Sequence, residues 1–271
     1  MDAQSTTHPA TSLHTASLER VRSLGAPGVL AGRVAVILGA TGWIGRALSR
    51  HLLDAGSSVV IIARDLARLE QLESELDAGG RVLAVAADVT SQLEVDDARA
   101  AALEAFGRVD LVVVLSGAIM GSAFEDGVPA DWAEMIDVNL RGLLHTTQTF
   151  TQPLLDAASS GTAADLVLLG AISEESHSPR FAVFNAVSAA IAQLGRTLRD
   201  EYGPRGMRVH VVAPGFHPSA GVDESPVRDP RQGRAHAPVT PKSIAAVIAL
   251  AAALPPEANL AEVVLLPTGS R

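Results

Sequence analysis

The stretch RVAVILGATGWIG, residues 33–45, decides how the chain is interpreted. Its first part is a continuous apolar run rich in β-branched residues, which is typical of a strand buried on both faces. Gly39, Gly42 and Gly45 follow, and helical spacing begins directly after them. Glycines allow a tight turn and a close backbone approach, and a helix N-terminus offers free N–H groups to a phosphate. The stretch therefore predicts a strand, a turn and a helix that together bind a dinucleotide pyrophosphate.

The rest of the chain repeats this alternation of strand and helix. Strands are predicted at 33–40, 58–63, 81–87, 109–116, 165–171, 207–213 and 261–267, and helices at 44–56, 65–80, 91–106, 131–157, 180–202 and 241–253. In the second helix, Asp65 is the predicted N-cap and Gly79 the predicted stop. The pattern predicts an α/β fold, a Rossmann-type doubly wound parallel sheet of seven strands with helices on both faces.

Domain organisation follows from the same pattern. Residues 1–28 are polar and broken by Pro9, Gly25 and Pro27, which predicts a flexible N-terminal tail. Residues 29–271 are predicted to form a single domain. Within it, the stretch 216–240 is rich in proline, glycine and charge, which is typical of a lid-like loop.

Composition excludes several classes of function. The chain has 271 residues, 48% of them hydrophobic, no cysteine and a formal net charge of −9. An acidic surface repels phosphate backbones, so we expect no nucleic-acid partner. The longest apolar run, 244–254, is too short to span a bilayer, and residues 1–20 lack the apolar core of a signal peptide. We therefore expect a cytoplasmic protein without a membrane partner. We also expect no metal site, because no cluster of histidine, aspartate and glutamate residues has the spacing of metal ligands.

The residue after the second strand predicts which cofactor is bound. An acidic side chain there would accept from an adenosine ribose and favour NAD, but Arg64 comes first, followed by Asp65. A guanidinium at this position pairs with a 2′-phosphate, which favours NADP(H) over NAD(H). The alternative is that Arg64 is a solvated residue at the end of the strand.

Several further motifs agree in type and order with one known family. They are ADVT at 87–90, LSGA at 115–118, DVNLRG at 137–142 and APGFHPS at 213–219. With the glycine turn, they make residues 30–268 resemble the short-chain dehydrogenase/reductase family. The resemblance implies that Asp88 contacts the adenine ring and that the Pro-Gly motif holds the nicotinamide. The expected cofactor-binding residues are Gly39, Thr41, Gly42, Trp43, Ile44, Gly45, Arg64, Asp88, Val89, Ser116, Gly117, Pro214, Gly215 and Ser219.

The resemblance also shows what this chain lacks. Members of the family work with a serine, a tyrosine and a lysine, and the matching positions here hold Ala171, Phe184 and Ser188. No shift of register restores the pair, because the chain's one tyrosine, Tyr202, and its one lysine, Lys242, are forty residues apart. Phenylalanine cannot donate a proton, and general acid catalysis contributes about 10²–10⁴ in rate. Ordinary carbonyl reduction at this site is therefore predicted to be very slow.

Other residues are candidate substitutes for the missing groups. Asn139 matches the family's asparagine on the central helix. The loop 172–180 carries Ser173 and His177, together with Glu174 and Glu175. Histidine can act as acid or base near neutral pH when a carboxylate orients it. Asn139, His177 and Ser173 are therefore the predicted catalytic residues. His217 is a second candidate, whereas His145 is expected to be a core or interface residue.

Three functions remain open from the sequence. The first is a divergent NADP(H)-dependent oxidoreductase acting on a small hydrophobic molecule, such as a conjugated or polyketide-like compound. The second is a non-redox enzyme on the same scaffold, such as a cyclase, dehydratase or isomerase, in which case no cofactor is used in catalysis. The third is a non-catalytic pseudo-reductase or partner subunit. The resemblance also implies a homodimer or homotetramer formed through helices 131–157 and 180–202.

Overall fold

The computed structural model describes residues 28–171, 179–215, 227–228, 235–236 and 239–268. Each of the seven predicted strands is present as a parallel strand of the central sheet. They are β1 (Val34–Leu38), β2 (Ser58–Ala63), β3 (Val82–Ala86), β4 (Leu111–Val114), β5 (Ala164–Leu169), β6 (Met207–Pro214) and β9 (Glu262–Leu265). The short strands β7 (Val227–Arg228) and β8 (Ala235–His236) pair antiparallel within the predicted loop 216–240.

Helices alternate with these strands as predicted. They are α1 (Trp43–Asp54), α2 (Leu66–Leu76), α3 (Gln92–Phe106), α4 (Pro129–Ile136), α5 (Gly142–Ser159), α6 (Ala182–Tyr202) and α7 (Pro241–Ala253). Within the described part of the chain, no helix combines the length and the apolar composition that a membrane crossing requires.

The order of strands in the sheet is β3-β2-β1-β4-β5-β6-β9. Every neighbouring pair in this sheet is parallel, so the carboxyl ends of all its strands lie at one edge. The chain runs outward in one direction from β1 to β3 and then in the other direction from β4. A crevice opens where the order reverses, between the carboxyl ends of β1 and β4, and such crevices bind ligands in open α/β sheets.

Two apolar layers hold the helices against the sheet, one on each face. One layer packs α1, α2 and α7 on residues such as Ile37, Ile61 and Val212. The other packs α3, α5 and α6 on residues such as Val36 and Val112. The strands in the middle of the sheet are buried on both faces, which explains why they form continuous apolar runs in the sequence, whereas β3 and β9 at its two sides are partly exposed. The predicted fold class is confirmed.

Two helices differ from prediction by more than their terminal one or two residues. The second helix ends at Leu76 rather than at Gly79, because Asp77 adopts the left-handed conformation (φ +41) and its N–H bonds the Glu73 carbonyl. Aspartate tolerates this conformation better than most residues, so the predicted stop was three residues late. The predicted helix 131–157 is also interrupted, since residues Asp137–Arg141 form a π-helical turn between α4 and α5. Such turns frequently mark functional sites.

The edge of the sheet opposite the crevice contains a buried ionic cluster that the sequence patterns did not indicate. Asp165 is fully buried and accepts from the Arg33 guanidinium at 2.7 Å and from the Arg208 guanidinium at 2.7 and 2.9 Å. The Arg33 guanidinium also bonds the buried Asp110 carboxylate. His210 lies 2.9 Å from Asp165 through Nε2 and 2.9 Å from the Leu260 carbonyl through Nδ1. Asp165 thus joins two arginines and one histidine in a single buried cluster.

Candidate functional site

The glycine turn lies at the crevice, between β1 and α1. Gly39 has φ +84, and a Cβ there would be 2.8 Å from the Ser116 nitrogen, at the end of β4. A Cβ on Gly45 would be 2.5 Å from the Gly39 carbonyl oxygen and 2.6 Å from the Ala40 Cα. Both positions therefore exclude any side chain. Gly42 is the N-cap of α1 and no side chain caps it, so N–H groups of the first turn, which contains Trp43 and Ile44, remain available to an anion.

Two arginines lie beside this turn. Arg64 follows the last residue of β2 and is exposed, as expected for a group that meets a ligand at the carboxyl edge. Arg68, in the first turn of α2, donates through Nη2 to the carbonyl oxygen of the buried Thr41 at 3.2 Å. Sequence reasoning missed Arg68, although its i+4 spacing from Arg64 was a usable signal. The two guanidinium groups give this side of the crevice a positive charge.

Asp88 and Val89 form the next wall, after β3. The Asp88 carboxylate accepts from the backbone N–H and the hydroxyl of Thr90 at 2.8 and 2.7 Å. Burial raises the pKa of Asp88, but these two hydrogen bonds and the charge of Arg64 outweigh burial, and the pKa lies below its ordinary value. The Val89 carbonyl accepts from His145 Nδ1 at 3.2 Å, so His145 ties this segment to α5. This half-buried position agrees with its expected structural role.

Asn139 lies in the π-helical turn and is buried. Its Oδ1 accepts from the Ala118 N–H at 2.7 Å, and its Nδ2 donates to the Ala118 carbonyl at 2.7 Å. A Cβ on Gly117 would come within 3.2 Å of the same Oδ1. The Asn139 amide thus holds the segment 115–118, which contains Ser116, beside the glycine turn. In this structure Asn139 is a positioning residue for the turn after β4, and its predicted catalytic role stays a prediction.

The Pro-Gly motif lies at the carboxyl end of β6, at the same edge of the sheet as the crevice. Pro214 is the last residue of that strand, and the Gly215 N–H donates to the Leu265 carbonyl at 2.6 Å. Ser219 and His217 lie outside the described residues, as do Ser173, Glu174, Glu175 and His177. Across the described ranges, no group of three or more histidines, aspartates and glutamates could hold a metal ion.

The three positions that match the family's serine, tyrosine and lysine lie after β5 and on α6. Ala171 and Phe184 are half-buried. Ser188 is buried, and its hydroxyl donates to the Phe184 carbonyl one turn earlier at 2.9 Å, so the helix already uses this donor. Tyr202 is the last residue of α6, about 27 Å along the helix axis from Phe184. Tyr202 therefore cannot replace the missing acid.

An aromatic cleft lies between the segment after β4 and the start of α6. Phe124 and Trp132 stack there, with ring centroids 5.2 Å apart and an interplanar angle of 14°. The cleft has a volume of about 10 Å³, room for about one water molecule, and its lining residues are Met120, Ser122, Phe124, Trp132, Met135, Arg180, Ala182 and Val183. The sequence analysis did not identify this cleft, because its two sides are some fifty residues apart in the chain.

Comparison with known proteins identifies the family to which this chain is similar. The family model described as short chain dehydrogenase matches residues 33–226. An uncharacterized oxidoreductase of Staphylococcus epidermidis is 31% identical over 235 residues, covering 87% of this chain and 97% of that protein. An uncharacterized oxidoreductase of Staphylococcus haemolyticus is 29% identical over 238 residues, covering 88% of this chain and 98% of that protein.

Solved structures agree with the observed fold. A 3-ketoacyl-(acyl-carrier-protein) reductase from Brucella melitensis, complexed with NADH, matches with a TM-score of 0.75 and 25% identity over 87% of this chain and 97% of that one. A metagenomic short-chain oxidoreductase in complex with NADP matches with a TM-score of 0.74 and 27% identity, covering 89% of this chain and 99% of that one.

Proposed function

The chain belongs to the short chain dehydrogenase family, and from this premise we propose that it is a divergent oxidoreductase that binds NADP(H). The observation that carries the proposal is the glycine turn at the crevice between β1 and β4. Neither Gly39 nor Gly45 has room for a Cβ, and the N-terminus of α1 has no side-chain cap. A backbone cradle of this kind fits a pyrophosphate.

The preference for NADP(H) over NAD(H) rests on two arginines. Arg64 is exposed at the end of β2, and Arg68 is held against the glycine turn by its bond to Thr41. Guanidinium groups match a phosphate with two parallel N–H donors. The whole chain carries a formal net charge of −9, so a dianionic 2′-phosphate needs such a local cation to bind. Arg64 is proposed to pair with the 2′-phosphate and Arg68 to support it.

The chemistry of the site differs from that of an ordinary carbonyl reductase. When bound, the nicotinamide supplies or accepts a hydride. Phe184 presents an apolar ring where a proton donor would stand, and the Ser188 hydroxyl is bonded within its own helix. The proton that completes a reduction then comes from water or from another side chain. This favours a conjugated or quinone-like acceptor among small hydrophobic molecules, because a delocalised anion needs less help from an acid than an alkoxide does.

Fluorescence titration with NADPH and with NADH tests the cofactor proposal. We expect NADPH to bind more tightly, and Arg64→Ala to weaken NADPH binding by about tenfold to a hundredfold while NADH binding changes little. Arg205→Ala is the matched control, since Arg205 is exposed but precedes β6 at the opposite edge of the sheet. Equal binding of the two cofactors would overturn the preference. No binding of either at millimolar concentration would overturn the cofactor site.

A non-redox enzyme on this scaffold is the second candidate function. The observation that favours it is the Ser188 hydroxyl, which is already bonded to the Phe184 carbonyl and leaves no lysine-like group to hold a nicotinamide ribose. The test is to incubate the protein with conjugated substrates, with and without NADPH, and to determine product masses. A product that appears without cofactor and keeps the oxidation state of the substrate supports this candidate. A product two hydrogens heavier that requires NADPH supports the oxidoreductase.

A further inference from the structure

Helix α5 begins beside the crevice and contacts Val89, the residue that follows Asp88 after β3, in two places. A Cβ on Gly142, the first residue of α5, would be 2.6 Å from Cγ2 of Val89 and 3.3 Å from its carbonyl carbon. Only glycine therefore lets the helix come this close to the segment 88–90. Three residues further along α5, His145 Nδ1 lies 3.2 Å from the Val89 carbonyl oxygen.

The carbonyl partner defines what the His145 side chain does. A carbonyl oxygen only accepts hydrogen bonds, so Nδ1 of His145 carries the hydrogen and donates it to Val89. Val89 is buried and His145 is half-buried, so this bond lies partly out of water. Because a buried carbonyl without a partner is costly, the bond holds the segment 88–90 against α5.

The start of the same helix also holds the other side of the crevice. Asn139, in the π-helical turn just before α5, bonds both backbone groups of Ala118, after β4. In the strand order β3-β2-β1-β4, the ends of β3 and β4 lie on either side of the ends of β2 and β1. The stretch from Asn139 to His145 therefore braces both flanks of the region that contains the glycine turn and Arg64.

The row of strand ends indicates which part of the cofactor meets the segment 88–90. In the proposed binding mode, the pyrophosphate lies on the glycine turn after β1, and the 2′-phosphate pairs with Arg64 after β2. The adenine is attached to the ribose that carries this 2′-phosphate. Neighbouring strands are about 4.8 Å apart, so the base extends toward the end of β3, where the charge of Arg64 acts on the Asp88 carboxylate.

We infer that His145 is a positioning residue for the adenosine half of the cofactor. It acts through the Val89 backbone, together with the close approach at Gly142, rather than by touching the ligand. Its hydrogen bond fixes the segment 88–90 before the cofactor arrives, so less order has to be gained on binding. The inference rests on the proposed function, because it takes NADP(H) as the ligand of the crevice.

Isothermal titration calorimetry with NADPH and with 2′,5′-ADP tests the inference. The second ligand contains the adenosine with its 2′- and 5′-phosphates but no nicotinamide. His145→Leu keeps an apolar side chain of similar bulk and removes the donor, so it should weaken the binding of both ligands about threefold to tenfold. The factor should be the same for both, because the affected contacts belong to the adenosine half alone.

Three further variants separate the hydrogen bond from other effects of substitution. His145→Asn places an amide N–H at the position of Nδ1, so it should restore the binding of both ligands to within about twofold of wild type. Gln148→Leu is the matched control, since Gln148 is exposed on the same helix, and it should change neither affinity. Gly142→Ala should weaken both ligands at least as much as His145→Leu, because its Cβ displaces Val89. Circular dichroism of each variant establishes that it is folded.

The results that overturn the inference are distinct from those that overturn the proposed function. The positioning role is wrong if His145→Leu binds 2′,5′-ADP as tightly as wild type does, or if His145→Asn is as weak as His145→Leu. It is also wrong if NADPH binding is weakened and 2′,5′-ADP binding is not. Each of these results leaves the cofactor proposal standing. Wild-type protein that binds neither ligand at millimolar concentration overturns the proposed function, and the inference with it.

Discussion

Replacing Asp165 by asparagine should destabilise the fold more than any surface change. The fully buried Asp165 carboxylate accepts from Arg33, Arg208 and His210 at 2.7–2.9 Å. Asparagine has nearly the same shape but no charge, so Asp165→Asn leaves the buried guanidinium groups of Arg33 and Arg208 with Asp110 as the one fully buried carboxylate in the cluster. Removing one partner of a buried ion pair costs about 3–5 kcal/mol, because the remaining charge is uncompensated.

Differential scanning calorimetry measures the size of this effect. For a chain of this size, 1 kcal/mol shifts Tm by about 2–4 °C, so Asp165→Asn should lower Tm by about 6–20 °C. Glu262→Gln is the control, since it breaks the exposed pair between Glu262 and Arg196. Exposed pairs contribute about 0–1 kcal/mol, which is at most about 4 °C. If Asp165→Asn lowers Tm no more than Glu262→Gln does, the cluster does not stabilise the fold and the reasoning is refuted.

The dependence of stability on pH gives a second readout of the same group. Burial raises the pKa of Asp165, but hydrogen bonding to His210 and the charges of Arg33 and Arg208 outweigh burial and hold the pKa well below its usual range. A carboxyl with a depressed folded pKa contributes stability that is fully present above the unfolded value, about 3.9. That contribution is lost as pH falls through the lower folded pKa. The Tm of wild type should therefore fall below about pH 4 more steeply than that of Asp165→Asn.

Three further changes probe the crevice. Gly45→Ala should reduce NADPH affinity at least about tenfold in fluorescence titration, because its Cβ would lie 2.5 Å from the Gly39 carbonyl oxygen. Gly203→Ala is the control and should leave NADPH affinity unchanged, since a Cβ at Gly203 meets nothing within 4 Å. Asn139→Ala should cost about 1–3 kcal/mol in urea unfolding, since it leaves the Ala118 backbone groups unpaired; an unchanged unfolding midpoint would contradict the clamp. Restoring the family's serine, tyrosine and lysine should speed NADPH-dependent reduction of a simple ketone by about 10²–10⁴. This triple variant carries Ala171→Ser, Phe184→Tyr and Ser188→Lys, and no gain in rate would contradict the alignment of these positions.

Local patterns explain why the fold could be predicted. The strands in the middle of the sheet are buried on both faces and so form continuous apolar runs, and α2 and α3 begin at side-chain caps, Asp65 and Ser91. The crevice was also predictable, because the glycines of the turn after β1 lie in one short stretch. Where the prediction failed, a local competitor decided the outcome: Asp77 rather than Gly79 ends α2, and a π-helical turn interrupts the helix that contains Asn139.

Sequence patterns alone were enough to predict the parallel fold and the glycine turn, and to show that tyrosine and lysine are absent from positions 184 and 188, since these features depend on residues adjacent in the chain. Four features depend on the tertiary structure: Asn139 holds the Ala118 backbone, Arg68 bonds the Thr41 carbonyl, Arg180 lines an aromatic cleft, and Asp165 bonds two arginines and His210. The hydrogen-bonded partners of Asn139, Arg68 and Asp165 are 21 to 132 residues away from them in the chain. Hydrogen bonds and ion pairs act over a few ångströms, and no periodicity of hydrophobic residues encodes which distant side chains come within that range.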